Sequence, residues 1–281
     1  MKIVVLVKEV PDTYGDRKLN LETGLADRAA SERVLDEIGE RALEVALSYA
    51  DANPGTEVQV VSMASEESAA SIRKGLAMGA ASALQVVDPA LAGADLGVTA
   101  RVLAAAVTRA GFDLVITGNL STDGSGGVIP AMLAEHLGVP QATALSSVTI
   151  AEGEVTGTRA TDAGVAQVTT TLPAVISITE ALPDARFTNF KGIMAARPSS
   201  ATAPTRWRPP SPPPPSPGPP GRTRQTRGSP RRESQTPSTS RSPPGTGSAA
   251  PSTDTSSPWA HHAGSPPDSS PGRSRPWSTR A

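Results

Sequence analysis

The stretch from residue 118 to residue 129 reads Gly-Asn-Leu-Ser-Thr-Asp-Gly-Ser-Gly-Gly-Val-Ile. It follows Leu114–Thr117, an apolar run of strand length, and precedes a helical pattern from about Gly127 to Leu137. Gly124, Gly126 and Gly127 permit backbone conformations that aim successive N–H groups at one anion. The start of the helix adds partial positive charge, and Ser121, Thr122 and Ser125 can donate hydroxyls. The chemistry this suggests is a phosphate cradle, although a plain surface loop has the same spacing and both readings stay open at this level. The stretch is neither a Walker A loop nor a GxGxxG fingerprint. Elsewhere the reactive groupings are thin. His136 is the only histidine before residue 197 and falls on a helical pattern, while Asp36, Glu37 and Glu40 read as a solvated acidic face. The chain has no cysteine, which excludes a thiolate nucleophile, a disulfide framework and a sulfur-ligated metal. The expectation is a nucleotide binder with no catalytic residue of its own, hence not an enzyme, and with no metal.

The elements that must carry this loop follow from periodicity. Ile3–Val7, Val58–Ser62, Leu84–Val87 and Leu114–Thr117 are Val- and Ile-rich runs of the kind that make buried parallel strands. Between them lie amphipathic stretches. Val34, Leu35, Ile38, Ala42, Val45, Ala46 and Tyr49 predict the apolar face of a first helix. Ser65 and Gly79 bracket a second, with Ala69, Ile72 and Leu76 inward; Asp95 and Gly111 bracket a third. After Pro140 the rhythm shifts to short strands, Ser146–Ile150, Val155–Arg159 and Val165–Thr170, with a hairpin signal at Glu152-Gly-Glu154. Pro173–Ile178 then reads as a strand returning to the sheet. This predicts a doubly wound α/β fold, Rossmann-like and mostly parallel, with a small antiparallel β appendage.

Composition divides the chain at about Arg197. The whole-chain averages, 37% apolar and a net charge of −1, describe neither part. Residues 1–197 carry 15 Lys and Arg against 24 Asp and Glu, on a composition ordinary for a folded domain. Residues 198–281 carry 11 Arg, 3 acids, 21 Pro and 18 Ser, with no Leu, Ile, Val, Phe, Met or Tyr. Such a tail cannot bury enough apolar surface to offset chain entropy and is expected to be disordered. The opening run after Met1-Lys2 is too short for a signal-peptide core, and no run approaches a membrane span, so the expected location is cytoplasmic.

Several motifs together carry a family resemblance: Val7-Lys-Glu-Val-Pro-Asp12, Asp36-Glu-Ile-Gly-Glu40, Ile72-Arg-Lys-Gly-Leu-Ala-Met-Gly-Ala80, the Gly118–Gly127 loop with Pro130–Glu135, Leu172–Val175, and Arg186–Ala196. In order and spacing, residues 1–197 resemble the electron transfer flavoprotein β subunits. The resemblance implies an αβ heterodimer in which the α subunit holds a redox-active FAD and the β subunit a structural AMP. It implies electron transfer from acyl-CoA and related dehydrogenases to a membrane quinone oxidoreductase, with no nucleic acid and no membrane insertion of this chain. By position, AMP would contact Leu6, Asp36, Glu37, Ile38, Gly39, Met63 and Gly118, and then Asp123, Gly124, Ser125, Gly126, Gly127, Val128 and Ile129. Arg186–Ala196 is similar to the family's recognition loop, which would place Phe187, Phe190, Ile193 and Met194 against partner dehydrogenases. Alternatives are a stand-alone adenine-nucleotide protein resembling universal stress proteins, and an electron-bifurcating subunit with FAD in place of AMP. An ATP pyrophosphatase relative would carry its phosphate motif after the first strand, where this chain has Lys8-Glu-Val-Pro-Asp12.

Two departures stand out. Ala160 replaces a glutamate that many members can pair with an arginine of the mobile FAD domain. After Ala196, members continue with lysines and an apolar segment, whereas here Arg197-Pro-Ser-Ser opens the Pro- and Arg-rich tail. A genuine polyproline-II extension would have this alphabet. So would a frameshift in a GC-rich gene, and replacement in mid-motif favours the frameshift. Translation of the underlying DNA in the other two frames is expected to restore Lys-rich and then apolar sequence after Arg197. Failure in both frames would remove that explanation.

Overall fold

A computed structural model describes residues 1–188, 190–196 and 205–208. In chain order the elements are β1 (Lys2–Leu6), β2 (Glu9–Pro11), β3 (Arg33–Leu35), α1 (Glu37–Ala52), β4 (Glu57–Met63), α2 (Ala69–Met78), β5 (Ser82–Val86), α3 (Leu96–Ala110) and β6 (Leu114–Gly118). They continue with α4 (Ile129–Leu137), β7 (Gln141–Leu145), β8 (Ser147–Ala151), β9 (Glu154–Thr161), β10 (Gly164–Thr171), β11 (Ala174–Ile178), α5 (Phe190–Ala195) and β12 (Thr205–Trp207). The main sheet has the order β12-β5-β4-β1-β6-β11-β7. Every pairing in it is parallel. β8, β9 and β10 form the expected antiparallel appendage, with Gly153 at φ +82° in the turn joining β8 to β9.

The strands at the centre of the sheet are β-branched runs covered on both faces. Ile3, Val5, Val60, Leu114, Ile116 and Ile176 face one layer, with Leu43 and Ala46 of α1 and Ile72 of α2. Val4, Val61, Leu84, Val115 and Val175 face the other, with Leu103 and Val107 of α3 and Leu133 and Ala134 of α4. The helices follow the chemistry of their ends. Asp95 caps α3 by accepting from the Val98 N–H at 2.7 Å. Gly75 lets α2 lie flat on the sheet, since a Cβ there would come within 3.0 Å of Val60 Cγ2.

Three differences from the sequence expectation have physical causes. Val34 and Leu35 are not on the first helix. They belong to β3, which pairs antiparallel with β2, because Asp36 is extended and α1 starts only at Glu37. β7 was not anticipated, since its Gln-Ala-Thr-Ala-Leu sequence has mixed polarity. An edge strand needs only one partner, here β11, and its pairing is interrupted by an irregularity between Ile176 and Ile178. Thr205–Trp207 lies inside the stretch expected to be coreless, yet forms β12 beside β5. It needs no core of its own, because it borrows a sheet edge, and Arg206 and Arg208 pair with Glu66 and Asp88. The rest of the tail lies outside the described residues.

Leu133 is fully buried and anchors α4, the helix that follows the candidate loop. Leu133→Ala is expected to lower unfolding free energy in urea by about 2–5 kcal/mol. A loss under about 1 kcal/mol would contradict the packing of α4 onto the sheet.

Candidate functional site

Strand order reverses between β1 and β6. The chain leaves β1 towards α1 on one face and leaves β6 towards α4 on the other, so a crevice opens at the carboxyl ends of these two strands. Leu6 closes β1, Met63 closes β4 and Gly118 closes β6. Leu6, Met63 and Ile129 are partly buried against the layer of α3 and α4, whereas Ile38 packs against the layer of α1 and α2. Gly118 passes so tightly beneath Ile38 that a Cβ would lie 2.6 Å from Ile38 Cγ2. Gly39 lies in ordinary contact range of Val7, with an added Cβ at 3.5 Å from the Val7 Cα. The Ile38 side chain, on the first turn of α1, thus packs directly on the end of β6.

Asp36 joins these parts. Its N–H donates to the Lys8 carbonyl at 2.9 Å, and its own carbonyl accepts from Gly39 and Glu40 as α1 begins. Its side chain is 2% exposed, and Oδ2 accepts from the Thr122 N–H at 2.9 Å. Oδ1 is buried with no partner among the described residues. Burial raises the Asp36 pKa, and the charge of Asp123 adds to the rise, against the hydrogen bond from Thr122.

Asp123 has the opposite surroundings. Oδ1 accepts from Lys8 Nζ at 2.7 Å and from the Gly124 N–H at 2.7 Å, while Oδ2 accepts from Arg28 Nη2 at 3.0 Å. Burial alone would raise its pKa, but the bonds from Lys8, Ser121 and Arg28 outweigh it and hold the carboxyl well below the usual carboxylate range. The loop then turns back on itself. The Ser121 carbonyl accepts from the Ser125 N–H at 2.9 Å, and Ser125 and Gly127 take φ of +48° and +65°. Among the described residues, nothing accepts from the N–H groups of Gly126, Gly127 or Val128. Val128 caps α4 without a side-chain hydrogen bond. An exposed row of amides at a helix start, lying beside partly buried apolar strand ends, can receive a compact anion carrying an apolar ring.

The structure thus brings the expected residues of β1, β4, α1 and the 118–129 loop to one edge of the sheet. Glu37 is exposed on the first turn of α1. A cavity of about 280 Å³ borders the same region, lined by Val10, Tyr14, Val34, Asp36, Glu40, Lys74 and Thr122 among others. Lys8, Arg17 and Arg28 were missed as site residues. Arg17 and Arg28 reach the loop from 105 and 95 positions away, and no periodicity could signal such contacts.

The segment after β11 presents a second surface. Arg186 binds Glu44 through Nε at 2.8 Å and Nη2 at 2.9 Å, and also reaches Asp51 at 2.9 Å. Burial opposes ionisation of Glu44, but the Arg186 bonds prevail and lower its pKa. Arg41 donates to the Leu182 carbonyl at 2.6 Å. Pinned to α1 in this way, the segment leaves Phe187 98% exposed and Ile193 and Met194 partly exposed. Phe190 opens α5, and its side chain lies outside the described residues.

Comparison with known proteins identifies the family to which the chain is similar. The family model for the electron transfer flavoprotein domain matches residues 23–206. The match therefore continues past Arg197 to include most of β12. The electron transfer flavoprotein subunit beta of Mycobacterium tuberculosis (strain CDC 1551 / Oshkosh) is 48% identical over 209 residues, covering 72% of this chain and 78% of its own. That of Mycobacterium leprae (strain TN) is 46% identical with the same coverage. The caffeyl-CoA reductase-Etf complex subunit CarD of Acetobacterium woodii is 33% identical over 197 residues, covering 70% of this chain and 75% of its own.

Asp36 also yields a test of the site's electrostatics. Its folded pKa is raised, so its share of stability is present at low pH and is lost as pH rises from the ordinary carboxylate range through the raised value. Asp123 and Glu44, with lowered pKa values, contribute above that range and lose their share on acidification. Asp36→Asn keeps an acceptor for Thr122 and removes the charge. Its melting temperature is expected to gain on the wild type progressively as pH rises above about 4. A difference independent of pH would contradict a buried, strained carboxylate.

Proposed function

The chain belongs to the electron transfer flavoprotein β-subunit family, and on that premise we propose that it holds a structural AMP and docks dehydrogenases onto a flavin-bearing heterodimer. As a family member it is an electron-transfer subunit that works with an α subunit. In this reading FAD sits mainly on the α subunit. That flavin would be the carrier that takes electrons from acyl-CoA-type dehydrogenases towards the respiratory chain by way of a quinone oxidoreductase. The heterodimer works in the cytoplasm.

The observation that carries the AMP assignment is the row of amides at Gly126–Val128, unclaimed among the described residues, at the crevice between β1 and β6. The phosphate would be held at Gly124–Val128 by neutral backbone donors and the α4 terminus. Leu6 and Met63 would cover a face of the purine. The orphaned Asp36 Oδ1 fits a ligand hydroxyl, which would relieve an unsatisfied buried acceptor. The flavin, when bound, supplies the redox chemistry; this chain supplies binding, orientation and docking. Phe187, Phe190, Ile193 and Met194 would form the apolar contact for dehydrogenases, on a segment that Arg186 ties to α1.

A second reading places FAD where AMP is proposed, in an electron-bifurcating assembly. The Acetobacterium subunit, named as part of a reductase complex, keeps this reading in view, but its 33% identity falls below the 48% of the Mycobacterium tuberculosis subunit. Family membership disfavours the stand-alone adenine-nucleotide reading. Chromatography of the nucleotide released by acid from the purified chain is expected to give AMP and no flavin. Coexpression with an α subunit is expected to give a yellow heterodimer. Tightly held FAD in the isolated chain would contradict the AMP assignment.

A further inference from the structure

Residues 12–32, between β2 and β3, form an excursion that contains no buried residue. Its shape comes from its own hydrogen bonds. Asp12 donates to the Glu32 carbonyl at 2.8 Å, Asp27 to Lys18 at 2.9 Å, Asn20 to Leu25 at 2.8 Å, and Ser31 Oγ to Asp16 at 2.6 Å. Tyr14 and Leu21 are 95% and 98% exposed, so burial of apolar surface does not hold the excursion in place.

Two arginines tie it down, and both reach the candidate nucleotide loop. Arg17 donates to the Thr122 carbonyl through Nη1 and to Thr122 Oγ1 through Nη2 at 3.2 Å. Nη2 also reaches the Pro11 carbonyl at 3.3 Å. Arg28 holds Asp123 Oδ2 at 3.0 Å and reaches the Glu9 carbonyl at 3.4 Å. Leu25 makes a further contact, lying where a Cβ on Gly93 would meet it at 3.2 Å, in the segment before α3. The excursion thus touches the loop through Thr122 and Asp123, and touches the approach to α3 at its tip. Thr122 is also the residue bonded to Asp36, and Thr122 and Asp123 immediately precede the Gly124–Val128 amides.

We propose that Arg17 and Arg28 are positioning residues for the nucleotide loop, latching the 12–32 excursion across it so that ligand exit requires the latch to open. This rests on the nucleotide reading of the site. The Arg28–Asp123 ion pair is part-exposed and weak alone, and Arg17 adds hydrogen bonds to the neutral Thr122. Their effect comes from acting together on two adjacent residues whose backbone sets the direction of the next amides.

The test uses the full chain and Arg17→Ala/Arg28→Ala. Hydrogen exchange at the bonded loop amides of Thr122, Gly124 and Ser125 in the nucleotide-free protein is expected to speed up about tenfold, as for two charge-assisted ties lost together. The urea midpoint should fall only slightly, because no core residue is touched and Asp123 keeps its bond from Lys8. AMP release, followed by displacement with excess unlabelled AMP, should accelerate by a similar factor, roughly tenfold at low salt. That difference should narrow at high salt, where the wild-type Arg28–Asp123 pair is screened. Arg17→Lys/Arg28→Lys should restore part of the protection, since lysine keeps the charge but not the fork. Unchanged exchange at Thr122, Gly124 and Ser125, or a general loss of stability in place of a local one, would overturn the proposal. Should the wild type bind no AMP, the nucleotide reading fails, and the exchange result still decides whether these arginines position the loop.

Discussion

The parallel pairing of β1 with β6 is the constraint on which the rest of this molecule depends. Ile3, Val4 and Val5 lie against Leu114, Val115 and Ile116 in register, and all six side chains are fully buried. Because the chain turns to opposite layers after these two strands, a crevice opens at their carboxyl ends. Everything placed at that edge is there for this reason: the apolar ends Leu6 and Met63, the start of α1, and the glycine-rich loop. Gly118 permits the closeness, and a side chain at that position would drive Ile38 away from the strand end.

The electrostatics at this edge are more economical than the acidic composition suggests. Asp123 is ionised and engages both Lys8 and Arg28, and Arg17 is directed to Thr122. The nearby cations thus shape the loop, while its capacity for an anion rests on backbone N–H groups and the α4 terminus. Asp36 is treated differently. Its carboxyl is buried and only half satisfied, a costly arrangement unless a ligand completes it. Two carboxylates 87 residues apart in sequence thereby take separate roles, one organising the loop and the other facing the place where the loop meets α1.

Much of this was legible in the residues themselves. Val- and Ile-rich runs announced the central strands, because a strand covered on both faces must be apolar throughout. The Asp95 and Gly111 boundaries of α3 and the glycine-rich loop before α4 were legible for local reasons, namely capping and backbone freedom. What escaped notice depended on tertiary partners. Val34 and Leu35 fit a helical pattern, yet β2 claims them as a strand. β7 is polar enough to hide, since it needs only one neighbour. The arginines of the 12–32 excursion carried no signal, because exposed side chains that act across about a hundred residues leave no periodicity. β12 lies beyond the composition seam at Arg197 and joins the sheet through backbone pairing, which composition does not report.

The central claim is that the loop after β6 is the phosphate end of an adenine-nucleotide site. Titration of the nucleotide-free chain with AMP, followed by ¹H–¹⁵N resonances of the backbone amides, addresses it most directly. The account predicts that the largest shifts fall on Gly124–Val128, with smaller ones at Asp36–Gly39. Shifts centred on the Arg186–Ala196 segment or on the cavity beside Tyr14, or no saturable shift at all, would contradict it.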